Sequence, residues 1–348
     1  MPRRCPGRGQ RVRLGPADSD FVVDEIPLYP PSGEGEHLHL RIRSSNCSTP
    51  ALAQALAACC GVAVRDIGYA GRKDRHAVTS QDLSVYRGQE AQITALAKHL
   101  PPGAEAEVLS LSRHRNKLRP GHLRGNRFRL RLLDVAQPEE LTSRLVQCQS
   151  AGIPNSYGPQ RYGRDGINLR QALACAGGEI GKPRRRDLAT YWADAGQAAI
   201  FDACIQARFD AGLLQALRVG DVAIKGSGAC FVVSAEALAD CQERLEQGEL
   251  GCSGPLPGAD LLLAAAGVNE EERAWSASVG IDWQAFARGG PLASRGDRRP
   301  AAMELISAPQ LQLDGASQGW LHLELGRGSY ATSFCQHLGI DINRGARM

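Results

Sequence analysis

The sequence of 348 residues predicts an α+β protein in which a mainly helical segment interrupts a sheet. Apolar and polar residues alternate near both ends of the chain, a pattern typical of half-buried strands. From Gly152 to about Pro300 helical patterns dominate instead. The chain is also longer than one ordinary domain of ~100–200 residues. We therefore predict a discontinuous sheet domain, 1–151 and 301–348, and an inserted domain, 152–300.

The elements of the first domain follow from local patterns. Residues 19–43 contain two strand-like pieces, SDFVVDEIPL and HLHLRIR, joined by the turn-rich PPSGEGE. A helix follows, with Thr49 as its N-cap, Pro50 at its first position and Gly61 at its end. Two short strands separated by a polar loop come next: Ile67–Ala70 and the stretch near Leu83–Tyr86.

The segment NRFRLRLLDV is the clearest strand of the chain. Its apolar residues point to one face and its arginines to the other, because successive side chains of a strand alternate. The segment WLHLELG, Trp320–Gly326, alternates in the same way, and we expect it to join the sheet that contains Phe128. In the insertion, helices are predicted at Leu169–Ala176, Ala189–Phe209 and Ala235–Glu246.

Composition excludes several classes of protein. Hydrophobic residues make up 43% of the chain and charged residues 22%, which excludes a disordered chain. No apolar run of ~18 residues and no secretory signal is present, so a cytoplasmic protein without a membrane span is expected. The eleven cysteines are scattered and include no C-x-x-C pair. We therefore expect reduced thiols and no metal site.

Positive charge is concentrated in one segment. The net charge is only +4, but Val108–Leu133 contains no acidic residue and eight basic ones. These are Arg113, Arg115, Lys117, Arg119, Arg124, Arg127, Arg129 and Arg131. Such a run is typical of contact with a nucleic-acid backbone, whereas a solvated surface is the simpler alternative.

The loop GYAGRKDRHAVTSQ, residues 68–81, is the most informative segment. Gly68 and Gly71 are expected to let a bulky ligand approach its backbone and to leave a side chain exposed, and Asp74 stands at its centre. Three adjacent cations are expected to lower the pKa of this carboxyl: Arg72, Lys73 and Arg75. Such an Asp is a nucleophile, a general base or the anchor of a structural ion-pair cluster. No phosphate-binding, dinucleotide-binding, nucleophile-elbow or H-E-x-x-H motif occurs, which favours a carboxylate site without a cofactor.

The loop resembles the signature G-x-A-G-x-K-D-[KR]-x-A-x-T-x-Q of the TruD family of tRNA pseudouridine synthases. Four more segments resemble family motifs in the same order. They are DFVVDEIPLYPPSGEGEHLHLRI, LRGNRFRLRL, GIPNSYGPQRYGRDGINL and RGSYATSFCQHL, which with the loop extend from about Asp20 to Leu338.

This resemblance implies a pseudouridine-synthase-type catalytic domain with a central mixed or antiparallel sheet and an inserted TRUD domain. It implies an isomerase that converts a uridine of tRNA to pseudouridine, at position 13 in the D-stem region. The expected partner is tRNA, with no small-molecule cofactor, and the expected state is a monomer. The competing hypothesis is a non-catalytic RNA-binding protein whose Asp74 loop is only structural.

The resemblance also implies roles for individual residues. Asp74 would act at the ribose or at the uracil ring, with Lys73 supporting its ionisation. The flipped base would stack on Phe21 and Tyr330, although Phe21 could equally be a core residue of its strand. The remaining predicted substrate-binding residues are Asn126, Arg127 and Arg161. Alternatively, Asn126 is only a turn residue after Gly125. Arg161 could instead connect the inserted domain to the sheet domain.

Overall fold

The computed structural model describes residues 12–343, so Cys5 and the Arg-rich N-terminus through residue 11 lie outside the described residues. The described chain forms two compact units. The first unit holds the chain up to Leu145, Glu304–Ala331 and the residues from Cys335 on. The second unit holds Val146–Met303 and Thr332–Phe334. Both contain helices and sheets, which confirms the α+β class.

The described elements are numbered in chain order. The strands are β1 (Arg13–Leu14), β2 (Phe21–Pro27), β3 (His37–Ser45), β4 (Ile67–Tyr69), β5 (Val78–Tyr86), β6 (Glu105–His114), β7 (Leu123–Leu133), β8 (Val222–Lys225), β9 (Cys230–Val232), β10 (Leu250–Leu256), β11 (Asp297–Pro300), β12 (Leu305–Leu313) and β13 (Gln318–Gly326). The α-helices are α1 (Thr49–Cys60), α2 (Glu90–Ile93), α3 (Pro138–Ala151), α4 (Ile167–Ala176), α5 (Arg186–Asp210), α6 (Leu238–Glu246), α7 (Ala266–Ser276) and α8 (Ala331–His337).

A nine-stranded sheet forms the first unit, with the strand order β12-β13-β7-β2-β5-β3-β6. Strand β1 also pairs with β7, and β4 pairs with β5. The sheet is mixed, because β2 and β5 are parallel while the other pairs are antiparallel. Strand β13 lies beside β7 with Leu323 opposite Phe128, so the late alternating segment does join the early strands.

Helix α1 covers part of the apolar face of this sheet. The alternate residues Leu38, Leu40 and Ile42 of β3 are at most 1% exposed and form one core cluster with the apolar residues of α1. Burial of each such aliphatic side chain contributes about 1.5–3 kcal/mol to folding. This packing fixes the start of α1 against β5, where it helps to hold the Asp74 loop.

Two boundaries near that loop differ from the prediction. Ser48, not Thr49, caps α1, and its hydroxyl accepts from the backbone N–H of Ala51 at 3.4 Å. Strand β5 begins at Val78 instead of near Leu83. The first half of β5 is polar in sequence but buried, because its hydroxyl and amide side chains form hydrogen bonds inside the unit. These bonds join Thr79 to Ser44 and Gln81 to Thr49.

The second unit combines helices with a four-stranded sheet of order β11-β10-β8-β9. The three predicted helices are present as α4, α5 and α6, with longer or shorter ends. The 25-residue α5 packs against α4 through an apolar cluster that includes Ala172, Cys175 and Ile200. The short strands β8–β11 were not predicted, because Gly, Pro and cysteine interrupt their alternation.

Candidate active site

The Asp74 loop connects β4 to β5 in the first unit. Lys73 is buried at 8% exposure, whereas Arg72 and Asp74 on either side of it are exposed. The predicted exposure of Asp74 is therefore confirmed. Gly68 has a different role from the predicted one, since a Cβ there would lie 2.3 Å from the carbonyl oxygen of Leu118. That glycine permits close packing of two chain segments.

Lys73 anchors the loop to the sheet. Its ammonium forms an ion pair with Glu25 of β2, and the two side chains are 4% and 1% exposed. Its backbone N–H donates to Oγ1 of Thr49 at 2.8 Å, and that hydroxyl donates to Oε1 of Gln81 at 3.0 Å. Lys73 was expected to support the ionisation of Asp74. The structure pairs its ammonium with Glu25, and its backbone hydrogen bond to Thr49 holds the loop next to Asp74 in position.

Glu25 is a residue that the motif analysis missed. Burial raises its pKa, while the Lys73 ammonium opposes that effect by attraction. Its second carboxylate oxygen, Oε1, accepts from the backbone N–H of Asp82 at 3.3 Å. A signal for it was available, because Phe21, Val23 and Glu25 alternate on one face of a strand. An acid at an apolar position of that kind requires a buried partner.

The other side of Asp74 is also held. Nε of Arg75 donates to Oδ1 of Asn46 at 2.8 Å, and Nδ2 of Asn46 donates to the carbonyl of Gly103 at 3.0 Å. Asn46 has a left-handed backbone conformation, with φ 51°, at the end of β3. The residues on both sides of Asp74 are therefore tied to neighbouring elements, which limits the positions that the carboxylate can occupy.

Asn126 of β7 lies beside Glu25, the partner of Lys73, on the neighbouring strand. It pairs with Glu25 on β2 and with Leu325 on β13, and its Oδ1 is buried without a hydrogen-bond partner among the described residues. The preceding Gly125 is required by close approach, because a Cβ would lie 2.1 Å from the carbonyl oxygen of Leu325. Because Lys73 pairs with Glu25, the Asp74 loop is attached to β2 at the residue that lies opposite Asn126.

The two predicted stacking residues differ in exposure. Tyr330 lies in the turn after β13, just before α8, and is 37% exposed. The turn starts beside Asn126, since the N–H of Arg327 donates to the carbonyl of Arg124 at 3.1 Å. Phe21 is only 6% exposed, and its ring packs edge-to-face on Phe128 at 6.3 Å. Phe21 is a core residue of β2.

Arg127 does not join this group of residues. Strand alternation directs it to the sheet face opposite Asn126, where its Nε pairs with Glu324 of β13 at 2.6 Å. The basic segment is also divided: Arg113 lies on the edge strand β6, and three strands separate β6 from β7. Acids distant in sequence pair with further members of the segment, as in Arg131 with Asp314 and Arg115 with Glu34.

Arg161 belongs to the second unit. It pairs with Asp194 of α5 at 2.8 Å, and its guanidinium lies 4.8 Å from the ring centre of Tyr157. Asp202 accepts from the hydroxyl of Tyr162 at 2.5 Å and from the N–H of Tyr157 at 2.9 Å, and burial raises the pKa of this carboxyl to about 6. Much of the GIPNSYGPQRYG segment thus stabilises the second unit itself.

Several other classes of site are absent from the described part of the chain. Within residues 12–343, no cluster of three His, Cys, Asp or Glu side chains could hold a metal ion. The ten cysteines in that range are free thiols. None of the described helices combines the length and the apolar character that crossing a membrane requires.

Comparison with known sequences relates this geometry to a family. The family model described as tRNA pseudouridine synthase D (TruD) matches residues 4–171 and 184–338, nearly the whole chain. The chain belongs to the TruD family. A tRNA pseudouridine synthase D of Anaeromyxobacter sp. (strain Fw109-5) is 36% identical over 342 residues, covering 96% of this chain and 93% of that protein. One of Vibrio vulnificus (strain YJ016) is 34% identical over 322 residues, covering 92% and 90%.

A solved structure supports the same fold. The chain named for tRNA pseudouridine synthase D (TruD) of Methanosarcina mazei superposes with a TM-score of 0.73 at 21% identity. The match covers 97% of this chain and 95% of that one. The TruD family model leaves residues 172–183 unmatched, at the end of α4 and in the loop that follows it.

Proposed function

We propose that this protein isomerises a uridine of tRNA, at position 13 in the D-stem region, to pseudouridine with Asp74 as the catalytic carboxylate. The observation that carries the proposal is the exposed Asp74 beside a lysine buried in an ion pair, in a chain of the TruD family. A side chain that is exposed while both neighbours are tied down is suited to act on a bound substrate. The site would operate where tRNA is found, in the cytoplasm.

The reaction is an isomerisation and needs no external group. The N1–C1′ bond of the uridine breaks, the uracil turns, and a C5–C1′ bond forms. The proton on C5 is lost and N1 gains one, so atoms and electrons balance without an oxidant. Asp74 would act as a nucleophile at the ribose or the uracil ring, or as a base toward the ribose or the C5 proton.

Neighbouring residues would position the extruded nucleotide. Oδ1 of Asn126 is buried without a partner among the described residues, and an uncompensated polar atom of this kind is suited to accept from a uracil N–H. The exposed ring of Tyr330 offers a stacking surface for the base. Phe21 would have a packing role against Phe128 in place of a stacking role.

The basic face of β7 is proposed to contact the RNA backbone. The double variant Arg127→Ala with Arg129→Ala should weaken tRNA binding and flatten its salt dependence, with the slope reduced by about one for each phosphate that is no longer bound. Most of the change should come from Arg129, because Glu324 already neutralises Arg127. Binding titrations at several salt concentrations measure this, with Arg87→Ala as the control for an exposed arginine. Equal slopes for all variants would exclude a phosphate contact on this face.

The proposed activity is tested by mapping pseudouridine in tRNA from cells with and without the protein. Position 13 should carry uridine in the deletion strain and pseudouridine after the parent gene is restored. An Asp74→Asn gene should not restore it. Pseudouridine at position 13 in the deletion strain would contradict the proposed site of action, and pseudouridine missing elsewhere would identify another target.

A further inference from the structure

The second unit carries a cationic run that the proposed active site does not use. Lys182, Arg184, Arg185 and Arg186 lie within five residues at the start of α5, and all four are exposed. Only Arg185 has an acidic partner among the described residues, Asp187 at 2.5 Å. The other three cations are therefore open to an anion from outside the chain.

The charge of this run contrasts with that of its unit. Residues 146–303 contain sixteen Lys or Arg and eighteen Asp or Glu, so the stretch as a whole carries a net charge of −2. The run 182–186 alone carries +4, and the flanking Glu179 and Asp187 reduce this to +2 over residues 177–187. A positive site on an otherwise acidic unit attracts a polyanion locally, and charges within about 8 Å contribute most at physiological salt.

The loop that presents the run is held in place. Ile180, two residues before Lys182, packs against the apolar cluster that joins α4 to α5, and Trp192 of α5 belongs to the same group. Arg186 is already the first residue of α5. Because both flanks are anchored, the cations are displayed in a restricted arrangement, which lowers the entropic cost of binding a charged chain.

We propose that Lys182, Arg184 and Arg186 bind the phosphate backbone of tRNA. This inference rests on the proposed function and adds a second contact surface to it, in the second unit. Guanidinium groups match phosphate geometry through two parallel hydrogen bonds, and the ammonium adds a point charge. Lys182 lies among residues 172–183, which the family model leaves unmatched, whereas Arg184 and Arg186 lie in its second matched stretch. We expect the run to contribute affinity and not chemistry, because the proposed catalytic carboxylate belongs to the first unit.

The test is the triple variant Lys182→Ala, Arg184→Ala, Arg186→Ala. Its matched control is Arg244→Ala, Arg288→Ala, Arg295→Ala, which removes the same charge from the same unit. Each control arginine already pairs with an acid: Arg244 with Asp240 and Glu249, and the other two with Asp260. The affinity of unmodified tRNA is measured at a series of salt concentrations, together with single-turnover conversion at saturating tRNA.

The triple variant should reduce the salt slope by about one for each phosphate contact, hence by up to about three. The control triple should keep the parent slope, and both should convert bound tRNA at the parent rate. Equal slopes in all three proteins would overturn the inference. So would a test variant that fails to convert saturating tRNA, because the run would then act in the chemistry. A parent protein that converts no uridine refutes the proposed function, whereas the slopes still decide whether this surface binds RNA.

Discussion

Asp74→Asn is expected to abolish the conversion of uridine to pseudouridine while leaving fold and tRNA affinity intact. Asparagine keeps the size of the side chain but removes the nucleophilic or basic oxygen, so the rate should fall at least about a thousandfold. Because Asp74 is exposed, removal of its charge should change the free energy of unfolding by only ~0–1 kcal/mol. Single-turnover assays on unmodified tRNA, melting curves and binding titrations measure the three quantities.

Asp66→Asn is the control for this substitution. Asp66 ends the turn just before β4, so this variant makes the same change from aspartate to asparagine outside the Asp74 loop. Conversion by the Asp74 variant at near the parent rate would exclude Asp74 as the catalytic group. A much lower melting temperature would instead make Asp74 a structural anchor. A parent protein that binds tRNA without converting it would support the non-catalytic RNA-binding hypothesis.

Lys73→Met is expected to have the largest effect on stability. It leaves the carboxylate of Glu25 buried without its cation, and breaking a buried ion pair in this way costs about 3–5 kcal/mol. Conversion should fall as well, even at temperatures where the variant is folded, because the loop loses its link to β2. Denaturant unfolding gives the free energy, and single-turnover assays with saturating tRNA give the rate.

Two further variants test whether the loss of stability in Lys73→Met comes from the buried charge of Glu25 and not simply from the removal of a cation. Arg87→Met breaks an ion pair with Glu36 whose side chains are 68% and 59% exposed, and should lower the free energy of unfolding far less than Lys73→Met does. The double variant Glu25→Gln, Lys73→Met leaves no buried charge at this pair and should regain part of the stability. If Lys73→Met is no more destabilising than Arg87→Met, the proposed anchor is wrong.

The pH dependence of the lysine variant follows from the raised pKa of Glu25. Burial favours the protonated carboxyl, so the folded state binds the proton more tightly than the unfolded chain does. The protonated Glu25 carboxyl therefore stabilises the folded state fully below its ordinary pKa of 4.5. This stabilisation is lost as the pH rises through the higher pKa that Glu25 has in the folded state. The deficit of Lys73→Met should therefore shrink in acid, and a deficit independent of pH would exclude a charged Glu25 as its cause.

The sequence predicted the Asp74 loop more completely than its surroundings. Gly71 and the polar residues of GRKDRH predicted an exposed Asp74, because a loop after a short strand cannot bury so many charges. The direction of Lys73 was not predictable in the same way. Its partner Glu25 is 48 residues away along the chain, and the two meet only because β2 and β5 are neighbours in the sheet.

The distribution of positive charge in the folded structure also differs from its distribution along the sequence. A run of eight cations without an acid suggested one basic stripe, but the sheet order places its first part on β6 and its last part on β7. Glu324 and Asp314 then come into contact with β7 from β13 and the turn before it. Net charge counted along the chain overestimates surface charge wherever antiparallel strands bring distant acids alongside.

The sequence alone determined the α+β class, the helices of the insertion and the motif that contains Asp74, because these depend on local periodicity and on residue order. Only the tertiary structure decided that Lys73 pairs with Glu25, that Phe21 is core, and that Arg127 pairs with Glu324. Each of these depends on which strands are neighbours and which face is covered. Strand pairing is set by the packing of the whole sheet, so no short segment contains that information.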